Sequence, residues 1–351
     1  MLPVDVRLSA SERAALLALA QPTVIVGIEG FRRLEGAPAG GDIALVVATS
    51  GTSGHSRLVE LSHGAVAAAI RSSAAAIGAG GDDRWLSCLP LAHIGGLLVV
   101  YRHLLLGAPI TFRRRVTPAV LTTLPDARFT SLVPTQLLRL LDTGTQLGQF
   151  RAILVGGSGM SAELASRAAE TGAPVVPTYG MTETCGGVVY AGRPLDGVEV
   201  RVDGSGELLV RGPTLMRGFR FDPAATAAAF APGGWLRTGD GGTVAVDGTV
   251  RVSGRLVDVI VSGGEKIWPA EVEAALAGHG EVAAVMVLAS PDREWGQRVV
   301  ACVVPRRRRA PPSLEMLRAY AAESIARHKL PRELIIVDSL DTTALGKIRR
   351  R

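Results

Sequence analysis

The sequence predicts an α/β protein with two domains. The large N-terminal domain, residues 1–254, combines a mostly parallel sheet with a small antiparallel unit, and residues 255–351 form a small, mobile α+β C-terminal domain. From residue 42 to 178, β-branched runs alternate with helical stretches, as in a parallel sheet covered by helices. Short strands joined by Gly-rich turns follow Tyr190, and the pattern changes again after Gly254-Arg255. These changes of pattern place the domain boundary at Arg255–Asp258.

The elements of the N-terminal domain follow in chain order. Strands of the parallel sheet are predicted at Ile43–Ala48, Trp85–Leu89, Pro109–Phe112, Phe129–Val133, Ala152–Val155 and Val175–Thr178. Helices are predicted at Gly64–Ile77, Gly95–Leu106, from Thr117-Pro118 onward, and at Thr135–Leu141 and Ala162–Thr171. Ser62 is the expected N-cap of the first of these helices, and Gly78 is its expected stop.

The later elements are shorter. The antiparallel unit is predicted from strands at Val198–Val202, Glu207–Arg211, Thr243–Val246 and Thr249–Ser253, with a hairpin turn at Asp247-Gly248. The C-terminal domain is predicted from helices at Pro269–Ala277 and Ser313–Ile325 and from strands at Val282–Ala289, Arg298–Val304 and Leu334–Val337.

Composition excludes several classes of protein. The chain is 47% hydrophobic but only 4% aromatic, and three widely spaced cysteines argue against a disulfide framework or a zinc site. Residues 1–13 lack the apolar core of a signal peptide, and Gly95–Leu106 is too short to span a bilayer. We therefore expect a soluble, cytoplasmic protein without membrane insertion.

Charge is carried mainly by arginine. Only Lys266, Lys329 and Lys347 are lysines among 38 basic residues, so each lysine is a candidate for a specific role. The run Arg306–Arg309 is either a solvated loop or an attraction for a polyphosphate ligand such as CoA. Nucleic-acid binding is disfavoured because no aromatic residues interleave these arginines.

The first candidate site is the Gly-rich loop Thr49-Ser50-Gly51-Thr52-Ser53-Gly54-His55-Ser56-Arg57, directly after a predicted strand. Glycines let the backbone approach phosphate oxygens, hydroxyl and N–H groups donate hydrogen bonds, and Arg57 adds positive charge. The spacing is not that of a Walker loop. A polar turn without function has the same composition, so this loop does not identify a phosphate site by itself.

Two further motifs carry residues that suit a nucleotide, the first directly after the predicted strand that ends at Thr178. In Tyr179-Gly180-Met181-Thr182-Glu183-Thr184, a carboxylate beside a hydroxyl suits Mg²⁺ and phosphate, and the aromatic ring could stack on a nucleobase. In Thr238-Gly239-Asp240, a turn Asp could accept both hydroxyls of a ribose, although ordinary Asp turns are common.

The last two motifs lie in the predicted C-terminal domain. Gly254-Arg255-Leu256-Val257-Asp258 leads to Ser262-Gly263-Gly264-Glu265-Lys266-Ile267-Trp268-Pro269-Ala270-Glu271-Val272-Glu273. Thr343-Ala344-Leu345-Gly346-Lys347 stands near the end of the sequence, where a lysine beside glycine could also be part of a solvated terminus.

In this order, the five motifs resemble the adenylate-forming superfamily of acyl-CoA synthetases, adenylation domains and luciferases, from about Ile43 to Lys347. The resemblance implies that ATP, Mg²⁺ and CoA are bound. The Thr49–Arg57 loop would hold the β- and γ-phosphates, and Thr182 would contact the α-phosphate. Glu183 would bind the metal, Lys347 would bridge the attacking carboxylate and the α-phosphate, and Asp240 and Arg255 would hold the ribose. The residues implied around adenine are Gly156, Gly157, Ser158 and Tyr179, with Gly180 in the same motif.

The resemblance also implies an acyl pocket and a moving domain. His93, in Pro90-Leu91-Ala92-His93-Ile94-Gly95-Gly96, and Val133-Pro134-Thr135 would line the pocket. Rotation about Arg255–Asp258 would bring Gly263–Trp268, with Gly264 and Lys266, toward the site for reaction with CoA. A homodimer is the expected assembly.

The sequence departs from the family pattern in three places. Arg57 replaces the usual lysine at the end of the phosphate loop, and its planar fork contacts phosphate differently. Val257 stands at the hinge where relatives usually carry Asp or Lys. The phosphate loop also begins at Thr49, whereas typical relatives have a much longer region before it, so we expect a compact N-terminal domain.

The run from Glu183 to Val198 resembles the short actinobacterial o-succinylbenzoate–CoA ligases of menaquinone biosynthesis. This substrate has a second carboxylate, for which a basic anchor is expected. The alternatives are another aryl- or fatty-acyl-CoA ligase, an adenylation enzyme that loads a carrier protein, and a non-catalytic acyl-nucleotide-binding protein.

Overall fold

The computed structural model describes residues 1–49 and 57–340. In this part of the chain the helices are α1 (Ala10–Ala20), α2 (His63–Ile77), α3 (Ile94–Leu106), α4 (Pro118–Thr122), α5 (Pro134–Asp142), α6 (Ala162–Glu170), α7 (Pro223–Ala229), α8 (Pro269–Ala277) and α9 (Leu314–Ala321). The first strands are β1 (Val24–Gly27), β2 (Gly30–Arg33), β3 (Ile43–Thr49), β4 (Arg57–Ser62), β5 (Arg84–Ser87), β6 (Ile110–Phe112), β7 (Ala127–Leu132), β8 (Ala152–Val155), β9 (Val175–Met181), β10 (Gly186–Tyr190) and β11 (Arg193–Pro194). The remaining strands are β12 (Glu199–Val202), β13 (Glu207–Arg211), β14 (Gly218–Phe219), β15 (Phe230–Ala231), β16 (Trp235–Val244), β17 (Val250–Arg255), β18 (Ile260–Ser262), β19 (Glu265–Ile267), β20 (Val282–Asp292), β21 (Gly296–Pro305) and β22 (Glu333–Ile336).

The predicted parallel sheet is present, and it positions the candidate site. Its strand order is β11-β10-β9-β8-β7-β5-β6, and every pair from β6 to β9 is parallel, whereas β10 and β11 are antiparallel additions. Its central strand β8 is apolar and buried along its whole length, as expected of a sheet covered on both faces. Trp85 on β5 stacks on Phe129 of β7 with ring centroids 5.1 Å apart, and both side chains are fully buried. The carboxyl ends of β5, β7, β8 and β9 consequently meet at one edge.

The prediction that the strand at Ile43–Ala48 belongs to the parallel sheet is wrong. This strand lies in a separate three-stranded sheet of order β14-β4-β3, where it pairs antiparallel with β4. A short buried apolar run has the same appearance in parallel and antiparallel sheets, so its partner cannot be inferred from pattern alone. Helix α2 follows with Ser62 as its N-cap and Gly78 in a left-handed conformation at its end, as predicted.

The antiparallel unit is also present. Strands β12, β13, β16 and β15 form one sheet, and β17 pairs with β16. Strand β16 starts at Trp235, eight residues before the predicted Thr243, because its Gly-rich motif continues as a strand rather than ending in a turn. The hairpin turn falls at Asp247-Gly248, with Gly248 at φ 81°, as expected for this pair of residues.

After Asp258 the chain forms a compact α+β unit. Strands β19, β18, β21 and β20 are antiparallel neighbours, and β22 adds parallel to β21. Helices α8 and α9 cover one face through Val272, Leu276 and Leu317, which are fully buried with the strand residues. Helix α9 ends at Ala321, four residues before the predicted Ile325. Within the described residues, no helix combines the length and the apolar character needed to cross a membrane.

Candidate active site

Glycines shape the edge of the parallel sheet where β8 and β9 end. A Cβ atom on Gly156 would lie 2.2 Å from Thr178 Oγ1, and one on Gly180 would lie 2.0 Å from the Gly186 carbonyl oxygen. Neither position has room for a side chain. Gly157 takes φ 83° and, like Ser158, is exposed at the rim. The predicted adenine residues are therefore brought together around an open edge that a flat ring could approach.

Tyr179, Asp240 and Arg255 form a hydrogen-bonded group beside this edge. Tyr179 Oη donates to Asp240 Oδ2 at 3.0 Å, and Arg255 Nε contacts Asp240 Oδ1 at 3.1 Å. The two charged residues face each other because Asp240 on β16 pairs directly with Arg255 on β17. Burial, followed by the negative charge of Asp240, raises the pKa of Tyr179, so the phenol stays protonated as a donor.

The backbone around Asp240 is fixed by its neighbours. Thr238 Oγ1 donates to the Leu208 carbonyl at 2.6 Å and accepts from the Asp240 N–H at 3.0 Å. Gly239, at φ 69°, donates its N–H to Glu207 Oε1 at 2.8 Å. Arg255 Nη1 also donates to the Thr238 carbonyl at 3.0 Å. Asp240 thus presents its carboxylate in one orientation, as recognition of paired hydroxyls requires.

Glu183 lies in a single turn of 3-10 helix, Thr182–Thr184, directly after β9. Thr184 Oγ1 ties this turn together by bonding the Met181 N–H and the Gly186 carbonyl. Burial raises the pKa of Glu183, and the positive charges of Arg255 and Arg57 oppose that shift. Thr182 precedes it in the same turn, so the predicted hydroxyl and carboxylate share one short element.

The described residues hold no group of three or more His, Cys, Asp or Glu side chains that could enclose a metal ion. Glu183, a partly buried carboxylate on which the charges of Arg255 and Arg57 act, nevertheless fits Mg²⁺, which typically takes one or two protein carboxylates and otherwise phosphate oxygens and water. Glu183 is the residue that would hold it.

Arg57 begins β4, opposite Thr49 at the end of β3. Its Cζ atom lies 5.1 Å from the centroid of the Phe219 ring, and its charge acts on Glu183. The rest of the predicted phosphate loop, Ser50, Gly51, Thr52, Ser53 and Gly54, lies outside the described residues, as does Lys347. Their roles stay predictions.

His93 is the N-cap residue of α3, at the end of the loop that follows β5. Its carbonyl accepts from the Gly96 and Leu97 N–H groups. Val133, at the end of β7, lies beside Gly157, whose Cβ would be 3.6 Å from Val133 Cγ1. These two predicted pocket residues thus follow the strands β5 and β7, which pair side by side.

The glycines of the C-terminal motif lie in a hairpin. Gly263 and Gly264 form the exposed turn between β18 and β19, and Gly263 packs against Trp295. Lys266 Nζ donates to the Ser205 carbonyl at 3.4 Å. The Trp268 ring of the same motif instead packs on Gly241 and Gly254, which adjoin Asp240 and Arg255.

Two known protein families match segments of the chain. The AMP-binding enzyme family matches residues 16–220, more than half of the chain. This chain belongs to the AMP-binding enzyme family. The C-terminal domain of AMP-binding enzymes matches residues 271–347.

Individual relatives match most or all of the chain. A probable 2-succinylbenzoate–CoA ligase of Mycobacterium tuberculosis is 37% identical and covers 100% of this chain and 93% of its own length. An indoleacetate–CoA ligase of Aromatoleum aromaticum is 35% identical over 87% of this chain and 66% of its own. The solved structure of a Bacillus subtilis o-succinylbenzoate CoA synthetase, in complex with its acyl-adenylate intermediate, superposes with a TM-score of 0.82 at 32% identity, covering 90% of this chain and 70% of the other.

Several contacts of this AMP-binding enzyme were not predicted from its motifs. Trp268 belongs to the predicted Ser262–Glu273 motif, but its contact with Gly241 was not predicted. Phe219, which packs on Arg57, and Glu207, which supports the Asp240 turn, lie outside the motifs. Arg102 is a further case. It is buried in α3, where it donates to Ser73 Oγ at 2.8 Å and stacks 4.3 Å from the Trp85 ring. The sequence feature that could have pointed to Arg102 is an arginine within the otherwise apolar stretch of α3.

Proposed function

We propose that this AMP-binding enzyme is an ATP-dependent acid–CoA ligase that forms an acyl-adenylate, with o-succinylbenzoate as its acid in menaquinone biosynthesis. The observation that carries the ligase assignment is the Tyr179–Asp240–Arg255 group beside Glu183. These side chains converge from β9, β16 and β17 and offer a nucleotide both a ribose acceptor and a metal-binding carboxylate. The full-length match to a probable 2-succinylbenzoate–CoA ligase supports the choice of acid.

In the first half-reaction, a carboxylate oxygen of the acid attacks the α-phosphorus of ATP, and the bond to pyrophosphate breaks. Asp240 holds the ribose hydroxyls, and Arg57 and the Thr49–Gly54 loop receive the β- and γ-phosphates. Lys347 bridges the attacking oxygen and the α-phosphate, beside Thr182. Bound Mg²⁺ would supply charge neutralisation on the phosphate oxygens, with Glu183 as its protein ligand.

In the second half-reaction, the CoA thiolate attacks the acyl carbonyl and AMP leaves. For this step the chain divides into two domains, 1–254 and 255–351, and the second domain rotates relative to the first about Arg255–Asp258. The exposed hairpin at Gly263–Lys266 then turns toward the acyl group, with His93 and Val133 at the pocket. ATP, CoA and the acid are small-molecule partners, no nucleic acid is involved, and a homodimer in the cytoplasm is the setting we propose.

The assignment of Lys347 is tested by substitution. Lys347→Ala should lower ATP–pyrophosphate exchange by about 10²–10³-fold, because one preorganised charge at the reacting phosphate is lost. Transfer to CoA from preformed acyl-AMP should change little. Lys329→Ala is the matched control, since Lys329 pairs with Glu271 at 2.6 Å within the C-terminal domain. Normal exchange in Lys347→Ala would refute this role.

The acid is tested with purified enzyme, ATP and CoA. Thioester formation from o-succinylbenzoate should exceed that from benzoate, indoleacetate and a medium-chain fatty acid. Indoleacetate belongs in the panel because an indoleacetate–CoA ligase is 35% identical to this chain. Faster turnover of any other acid would move the assignment to another aryl- or acyl-CoA ligase. Thioester formed only on a carrier protein would indicate a loading enzyme.

A further inference from the structure

We propose that Phe219 is a positioning residue that holds the Arg57 guanidinium toward Glu183 and the phosphates of bound ATP. This inference rests on the proposed function, because it assigns Arg57 to the nucleotide. The Arg57 Cζ atom lies 5.1 Å from the centroid of the Phe219 ring, within the range of a cation–π contact. Phe219 itself is 8% exposed, so the ring is a fixed surface rather than a mobile one.

The strand register explains why these two side chains meet. Phe219 on β14 pairs with Val59 on β4, and Arg57 is two residues from Val59. Side chains two apart on a strand share a face, so Arg57 is the diagonal neighbour of Phe219. An aromatic ring at this distance can reach the guanidinium without any change in the backbone.

The segment that carries Phe219 is anchored at both ends. The Met216 N–H donates to the Glu183 carbonyl at 2.8 Å, and the Phe219 N–H donates to Thr226 Oγ1 at 2.8 Å. Gly218 packs so closely on Thr226 that a Cβ there would lie 2.7 Å from Thr226 Cγ2. The ring is thus held relative to the Glu183 turn as well as to β4.

Arg57 and Glu183 lie on segments that contact each other, because β4, which Arg57 begins, packs against the 3-10 turn that carries Glu183. The positive charge of Arg57, like that of Arg255, favours the ionised form of Glu183. Arginine is suited to this arrangement because its planar, weakly hydrated head stacks on aromatic rings, whereas a lysine ammonium is compact and strongly hydrated. We infer that Phe219 confines an otherwise exposed arginine to the orientation that binds phosphate.

Binding of Mg·ATP, measured by isothermal titration calorimetry, tests the inference independently of turnover. Phe219→Leu keeps the apolar volume but removes the ring's negative face, and should raise the Kd by about three- to tenfold. Phe219→Tyr should bind like the wild type. Arg57→Ala should weaken binding further, and adding Phe219→Leu to it should cause no additional loss, because the ring acts through Arg57.

Phe221→Leu is the matched control. Phe221 also stacks on an arginine, with the Arg220 Cζ atom 4.2 Å from its ring, but that pair joins Glu60 and the Ala20 carbonyl rather than Glu183. The Phe221→Leu variant should bind Mg·ATP with an unchanged Kd. The inference would be overturned if Phe219→Leu raised the Kd for Mg·ATP by the same factor in the wild type and in Arg57→Ala. It would also be overturned if Phe219→Leu alone left the Kd unchanged. Wild-type enzyme that binds Mg·ATP but turns over no acid would instead overturn the proposed function alone.

Discussion

Asp240 shows how single residues prepare this site. Both carboxylate oxygens already have partners, Oδ2 from Tyr179 and Oδ1 from Arg255, and the side chain is only 9% exposed. The Arg255 guanidinium is 42% exposed, so part of it faces the open side of the site. A buried anion held by a donor and a cation does not reorient when ligand arrives, which lowers the entropy lost on binding.

Glu183 gives a prediction about stability. Because burial raises its pKa above the ordinary value of 4.5, ionising this carboxyl costs more in the folded than in the unfolded chain. Its contribution to stability is fully present below pH 4.5 and is lost as pH rises toward the raised pKa. Glu183→Gln should therefore raise the thermal unfolding midpoint at pH 7 and abolish adenylation, with the stability difference vanishing below pH 4.5.

The control for this prediction is Glu199→Gln. A hydrogen bond from Arg211 lowers the pKa of Glu199, which is the opposite shift. This variant should show an equal or slightly lower midpoint at pH 7. A midpoint that falls in Glu183→Gln would mean that the carboxylate is stabilised, not strained, in the folded protein.

At the scale of elements, the β16–β17 pair joins the two parts of the chain. Gly241 and Gly254 pair across these strands, next to Asp240 and Arg255. The Trp268 ring covers both glycines, so that a Cβ on Gly241 would lie 2.1 Å from Trp268 Cη2, and one on Gly254 would lie 3.7 Å from Cε3. The two glycines form a flat backbone surface on which an indole from the C-terminal unit rests.

This contact predicts the effect of one methyl group. Gly241→Ala should destabilise the protein by about 1–3 kcal/mol, since the new Cβ overlaps a ring rather than the end of a flexible side chain. Differential scanning calorimetry should show a lower midpoint, and Trp268→Leu in the same chain should restore much of the loss. Gly280→Ala is the control, because no heavy atom lies within 4 Å of its Cβ position. Equal midpoints for the two alanine variants would contradict the packing argument.

The sequence predicted most elements because helix caps, β-branched runs and turn residues are local signals. The end of α2 at Gly78 and the β16–β17 turn at Gly248 are examples. The site motifs could be recognised because they are also local in sequence. The tertiary partners of each segment could not be predicted, because β3 joined another sheet and the contacts of Phe219 with Arg57 and of Trp268 with Gly241 connect distant segments. Such contacts depend on tertiary packing, which a single sequence does not display.

At the scale of the molecule, three sheets of the described chain contribute to one site. The parallel sheet supplies Tyr179 and leads into the 3-10 turn that carries Glu183, the β3–β4–β14 sheet supplies Arg57, and the antiparallel unit supplies Asp240. A compact α+β unit follows the 3-10 turn Leu256–Asp258, in which Val257 is 80% exposed. At this turn, which we propose as the hinge, an exposed side chain with little packing leaves the backbone torsions free to change.

The proposed hinge gives the prediction for the whole molecule. Val257→Pro fixes φ near −65° and restricts Leu256, so it removes some of the torsions that rotation needs. Overall thioester synthesis should fall by about tenfold or more, with one half-reaction retained and the other lost. ATP–pyrophosphate exchange and transfer from preformed acyl-AMP, measured separately, distinguish the two. Val257→Ala is the control with free torsions, and a Val257→Pro enzyme that performs both half-reactions normally would exclude rotation at this turn.

The position of Trp268 has a thermodynamic consequence. Its indole rests on the residues that directly adjoin Asp240 and Arg255, so a ligand that moves this pair also changes the energy of the indole contact. Reciprocity then requires that the orientation of the C-terminal unit alter nucleotide affinity by the same factor by which nucleotide alters that orientation. A nucleotide titration and a measurement of domain orientation should therefore return one shared coupling free energy, and Trp268→Leu should reduce both readouts together.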